Sequence, residues 1–118
     1  MKTFYEEYGG FDIGYASIIL SYMMQLSEKT GDRYIEEKAR ELASHVGTHI
    51  NSSGEFDFSK TSRHTQFLYP YGFYKLKNKT FSSIANGLKQ NKIINPTWMD
   101  DRYMIPFCLD YMLVIKNE

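Results

Sequence analysis

Arg63 and His64 stand side by side in the stretch Ser62-Arg63-His64-Thr65, six and eight residues before Tyr69 and Tyr71. An imidazole titrates close to neutral pH and can take a proton, while a guanidinium can neutralise a carboxylate on a bound molecule. A phenol such as Tyr69 or Tyr71 could then return a proton as the acid. Arg63, His64, Tyr69 and Tyr71 are therefore the candidate catalytic set. The plainer alternative is that Arg63 and His64 cap a loop and bond backbone carbonyls. A second pair, His45 and His49, has the i,i+4 spacing that can present two imidazoles to one metal ion. No acid follows at a useful distance, so a structural or solvent-facing role is expected there.

Carboxylates cluster at two further places, Glu6-Glu7 with Asp12 and Asp100-Asp101. Two of them could form the pair a glycosidase needs, yet Asp12 and one of Asp100 or Asp101 are also natural helix N-caps. The aromatic side chains Tyr5, Tyr8, Tyr15, Tyr69, Tyr71, Tyr74 and Trp98 could stack on sugar rings, or fill the core of a helical bundle. Glu7, Tyr8, Asp12, Tyr15, Trp98, Asp101 and Arg102 are the candidate substrate-binding residues. The methionines read as core filler. There is no phosphate-cradling glycine loop, zinc pattern, nucleophile elbow or nucleic-acid module, so no cofactor, metal or nucleic-acid partner is expected.

The elements that would position these groups follow from patterning. Asp12 is placed to cap a helix from Ile13 to Leu26 that is apolar around most of its girth, which predicts burial on several sides. Thr30-Gly31-Asp32 ends it, with Gly31 left-handed and Asp32 capping the next helix. From Arg33 to about Ile50, Ile35, Ala39, Leu42, Val46 and Ile50 mark one apolar stripe among charges, the signature of an outer helix. Asn51-Ser52-Ser53-Gly54 is turn chemistry, and Glu55-Phe56-Asp57-Phe58 alternates like a very short strand. Pro70 and Gly72 limit residues 64–76 to a short or broken helix. Thr80 or Ser82 is placed to cap another short helix. Asp100-Asp101-Arg102-Tyr103 then leads into a second nearly all-apolar helix, with Pro106 in its first turn.

At 118 residues, 42% hydrophobic and 24% charged, the chain is one globular domain's worth rather than a disordered one. The apolar run from Tyr103 to Ile115 contains Pro106 and Asp110 and is too short to span a bilayer, and the opening residues do not read as a signal peptide. A single cysteine excludes an internal disulfide and fits a reducing compartment, which leaves the cytoplasm as the default and not as a compartment the sequence identifies. Charge is uneven. Residues 58–99 hold no acid and carry seven basic side chains, while the flanking segments are net acidic. That arrangement suits internal pairing, a site for an anion, or plain solvated surface.

Glu7-Tyr8-Gly9-Gly10-Phe11-Asp12-Ile13-Gly14-Tyr15, Thr30-Gly31-Asp32, Gly54-Glu55-Phe56 and Ser62-Arg63-His64-Thr65 leading to Leu68-Tyr69-Pro70-Tyr71-Gly72-Phe73 resemble parts of α/α-toroid proteins. This family includes polysaccharide lyases, uronyl epimerases and glycoside hydrolases. The resemblance implies an all-α fold in which about five helices, alternately inner and outer, form an arc of the ring. It implies a groove for an acidic, uronate-containing polysaccharide where the inner-helix N-termini converge. Arg63, His64 and a tyrosine would then match the roles of a β-eliminating lyase or an epimerase. A full ring is several times longer, so the expectation is a C-terminal part of a larger toroid, or a homodimer. The alternative is a non-catalytic helical module that self-associates or completes a partner's fold.

Overall fold

A computed structural model describes residues 12–57, 68–90, 92–93 and 101–117, the first three residues of the last segment by backbone only. These residues form five helices: α1 (Ile13–Thr30), α2 (Arg33–Gly47), α3 (Tyr71–Lys75), α4 (Thr80–Lys89) and α5 (Asp101–Lys116). No strand occurs among the described residues, and Glu55–Asp57 is irregular rather than the start of a strand. The all-α class expected from patterning is what is found.

Local chemistry explains the boundaries. The Asp12 carboxylate accepts from the Tyr15 N–H at 2.9 Å and caps α1. Gly31, at φ +71°, closes α1 with its N–H on the Ser27 carbonyl, and Asp32 accepts from the Tyr34 and Ile35 amides to open α2. α2 stops three residues short of Ile50. There the Thr48, His49 and Ile50 amides each turn to the carbonyl three residues back, tightening the last turn. α4 is capped by neither Thr80 nor Ser82: the Asn78 side chain accepts from the Thr80 N–H at 2.9 Å. α5 begins at Asp101, so Pro106 lies in its second turn, not its first, and the carbonyl four residues earlier lacks its helical donor.

α2 folds back along α1, and Leu20, Met24, Ala39, Leu42, Val46, Phe73 and Ile84 meet in one core. α5 meets α1 where Asp110 bonds Ser21; Ile18 belongs to the small cluster of Tyr69 and Phe107, and Gln25 shares a groove with Leu113 and Lys116. Buried side chains thus join α1, α3 and α5, while α2 packs along α1 through Ala39, Leu42, Ala43 and Val46. Along α4 the loop after α2 is held by backbone proximity. A methyl group built on Gly54 (φ +88°) would come within 2.6 Å of the Gly87 Cα. The positive middle of the sequence is partly neutralised here, as Lys75 pairs with Glu28 at 3.3 Å and Lys92 with Glu55 at 3.2 Å.

Two expectations about burial need correction. α1 is buried on one face only, through Ile13, Ala16, Ser17, Leu20, Ser21, Met24 and Ser27, while Tyr22 and Leu26 are exposed. α5 buries Phe107, Asp110 and Val114, yet leaves Ile105, Leu109, Met112 and Ile115 in solvent. In both helices the apolar girth exceeds what the core of the described residues covers.

Candidate functional site

A buried polar seam joins α1, α3 and α5. Ser17 and Ser21, one turn apart on α1, are small enough to let the chain from Leu68 to Gly72 lie close against the helix. Ser17 Oγ donates to the Gly14 carbonyl at 2.7 Å and accepts from the Tyr69 N–H at 3.0 Å. Ser21 Oγ donates to Asp110 Oδ1 and accepts from Gln25 Nε2 at 3.2 Å. Asp110 Oδ2 takes the Tyr71 N–H at 2.8 Å. Both carboxylate oxygens are occupied, and the residue is 3% exposed. Burial pushes the Asp110 carboxyl above the usual carboxylate range, while its bonds from Ser21 and Tyr71 pull the other way. The seam holds α1, α3 and α5 in register. With its oxygens engaged in this way, Asp110 is suited to anchoring rather than to proton transfer.

Aromatic rings continue the seam. Tyr69 meets Phe107 edge-on, centroids 5.9 Å apart, and Phe107 packs on Tyr111 at 4.6 Å. The Tyr111 hydroxyl is buried without a hydrogen-bond partner, and burial, seconded by the Asp110 charge, raises its pKa. The Tyr71 hydroxyl donates to Glu28 Oε1 at 2.6 Å. Burial first, and this bond second, raise the Tyr71 pKa.

Beside the seam, α1 and α5 enclose a groove of about 510 Å³ lined by Tyr22, Gln25, Pro106, Leu109, Asp110, Met112, Leu113 and Lys116. Its walls are mainly apolar. A second, wide-open hollow of about 410 Å³ lies between the end of α2 and Asp57, with His49, Asn51 and Glu55 on its rim. His45 and His49 meet ring edge to ring face at 5.3 Å, and no group of three metal-binding side chains occurs among the described residues.

Of the sequence-derived site residues that are described, Tyr69 and Tyr71 are 1% and 3% exposed. Asp12 is buried as a cap, with Tyr15 half-buried beside it. The Tyr71 hydroxyl reaches Glu28 near the far end of α1, roughly 24 Å along the helix from Asp12 at about 1.5 Å per residue. These two are not brought together. Arg63, His64, Glu7, Tyr8 and Trp98 lie outside the described residues, as do the side chains of Asp101 and Arg102, which open α5.

Reading the sequence for chemistry missed Ser17, Ser21, Gln25 and Asp110. Their signal was present: two small polar residues four apart inside an apolar helix, and one lone carboxylate inside an apolar run. No family model matches the chain, and neither a curated protein nor a solved structure is found similar to it.

Proposed function

We propose that this chain is a helical docking module, whose work is done by the solvent face of α5 together with the adjoining edge of α1. One observation carries the reading: Ile105, Cys108, Leu109, Met112 and Ile115 all lie exposed on α5, and Lys116 is the first charge to interrupt them. Tyr22 shares a groove with Leu109 and Met112, and exposed apolar surface on the order of several hundred Å² is the size of patch that often carries function. The groove adds concavity, and the buried seam gives a rigid frame, both of which favour binding by a preformed surface. On the α/α-toroid resemblance, the five helices would be an arc whose open edge another helical unit would complete.

The test is titration of dilute protein with an environment-sensitive apolar dye. Wild type is expected to bind it, and Met112→Glu and Leu109→Glu to lose most of that binding with unchanged far-ultraviolet circular dichroism. Dye binding that ignores both substitutions removes the reading.

A second reading, recognition of an acidic oligosaccharide, rests on the α/α-toroid resemblance and on the seven basic and no acidic residues between positions 58 and 99. Trp98 fluorescence during titration with uronate oligosaccharides tests it. Saturable binding lost in Arg63→Ala supports it, and an unchanged signal sinks it.

A further inference from the structure

The docking face carries its own complement. We infer that its occupant is a second copy of this chain, with the two α5 helices antiparallel about a twofold axis at their midpoints; this rests on the docking reading above. α5 spans Asp101–Lys116, so its midpoint falls between Cys108 and Leu109. Rotation about that point sets Ile105 against Met112 of the second copy, and Met112 against its Ile105. The exposed residues Ile105, Leu109, Met112 and Lys116 follow four-, three- and four-residue steps, the spacing of a helix–helix seam.

Charge selects the direction. The sequence puts Asp100 and Asp101 at the start of α5 and Lys116 at its end. Antiparallel packing brings each Lys116 to the acidic start of the other helix and opposes the two helix dipoles favourably. Parallel packing would set lysine on lysine and acid on acid. A self-complementary strip of this kind is what an isologous interface requires. Near the axis the side chains are Cys108 and Leu109, and the small thiol permits close approach. The exposed apolar area, on the order of several hundred Å² per copy, nears the ~800 Å² per partner of a standard interface.

The chain's single cysteine makes the register measurable, because any thiol-linked dimer must join Cys108 to Cys108. Sedimentation velocity over a concentration series is expected to show a monomer–dimer equilibrium. A bis-maleimide with a spacer of about 8 Å, the separation of packed helix axes, should trap the dimer in high yield. Met112→Glu should weaken association at least about tenfold and abolish trapping. Lys116→Glu should weaken it about three- to tenfold at low salt, and adding Asp101→Lys to Lys116→Glu should restore it.

A dimer that Cys108 does not link, or that ignores Met112→Glu, joins through another face and overturns the inference. A monomer at every concentration that still binds the apolar dye through Met112 also overturns it, and leaves the docking reading standing for a different partner. A monomer that binds no dye removes both.

Discussion

α2 and α5 are nearly equal in length, fifteen and sixteen residues, and each buries one apolar stripe. Their outward faces differ, although α2 also exposes one large ring, Tyr34. α2 shows solvent Arg33, Glu37, Arg40, Glu41 and Ser44, with ion pairs Arg40–Glu36 at 3.5 Å and Lys38–Glu41 at 3.3 Å. α5 shows solvent Ile105, Cys108, Leu109, Met112 and Ile115. A helix needs only one apolar stripe to join a core. The second stripe on α5 lies outside the core that the described residues form, and it is the surface the docking reading uses.

If that division is right, the inward faces should be equally costly to damage. Phe107→Ala on α5 and Leu42→Ala on α2 should each lower unfolding free energy by about 3–4 kcal/mol in urea titrations. A much smaller loss for Phe107 would mean that α5 is only loosely attached, and the comparison would break.

Next in size is the polar anchor that α2 lacks. Asp110→Ala strands the Ser21 hydroxyl and the Tyr71 amide, and should cost about 2–3 kcal/mol by the same measurement. Asp110→Asn should cost less, and it isolates a pH effect. The folded-state pKa of Asp110 lies above its ordinary 3.8 because burial disfavours the charge. The fold therefore favours the protonated form, and that contribution is full below about pH 3.8 and lost as pH rises through the folded value. Urea midpoints at pH 4 to 7 should show wild type losing stability relative to Asp110→Asn as pH increases. The opposite slope would mean that the bonds from Ser21 and Tyr71 outweigh burial.

The outward faces give the smallest effects on folding and the sharpest contrast. Met112→Glu should change the monomer's unfolding free energy by less than about 0.5 kcal/mol, while removing association in sedimentation. On α2, Glu41→Ala should cost about 0.5 kcal/mol or less and leave association untouched. Equal effects of the two on association would erase the distinction between these faces.

Much of the fold was legible because its signals are local. Asp12, Gly31 and Asp32 act through neighbours a few residues away, and the α2 stripe is set by its own periodicity. The Asn78 cap was passed over because Thr80 and Ser82 offer the same chemistry nearby, and only backbone geometry selects among them. The site was less legible for a different reason. Apolar girth in α1 and α5 reads as burial, but a sequence does not say whether the covering surface belongs to the same chain. Ser17, Ser21 and Asp110 form their bonds across 52 and 89 positions of sequence, beyond the reach of any local pattern. Tyr69 and Tyr71 illustrate the converse: residue types suited to catalysis, placed in the core by backbone amides that Ser17 and Asp110 capture.

The contact between Gly54 and Gly87 bears on how this sequence can vary over generations. A side chain at Gly54 meets the Gly87 backbone, and one at Gly87 also meets Ile93, so a change at one position offers no room for a change at the other. The two codons are then constrained together by negative selection, and no compensating exchange between them is open. In a library randomised at both positions and selected for folded protein, glycine should be recovered at each. Length changes between Asn51 and Asp57 should be equally rare, because they would slide that loop out of register with α4. The loop would drift in side-chain identity while its length stayed fixed.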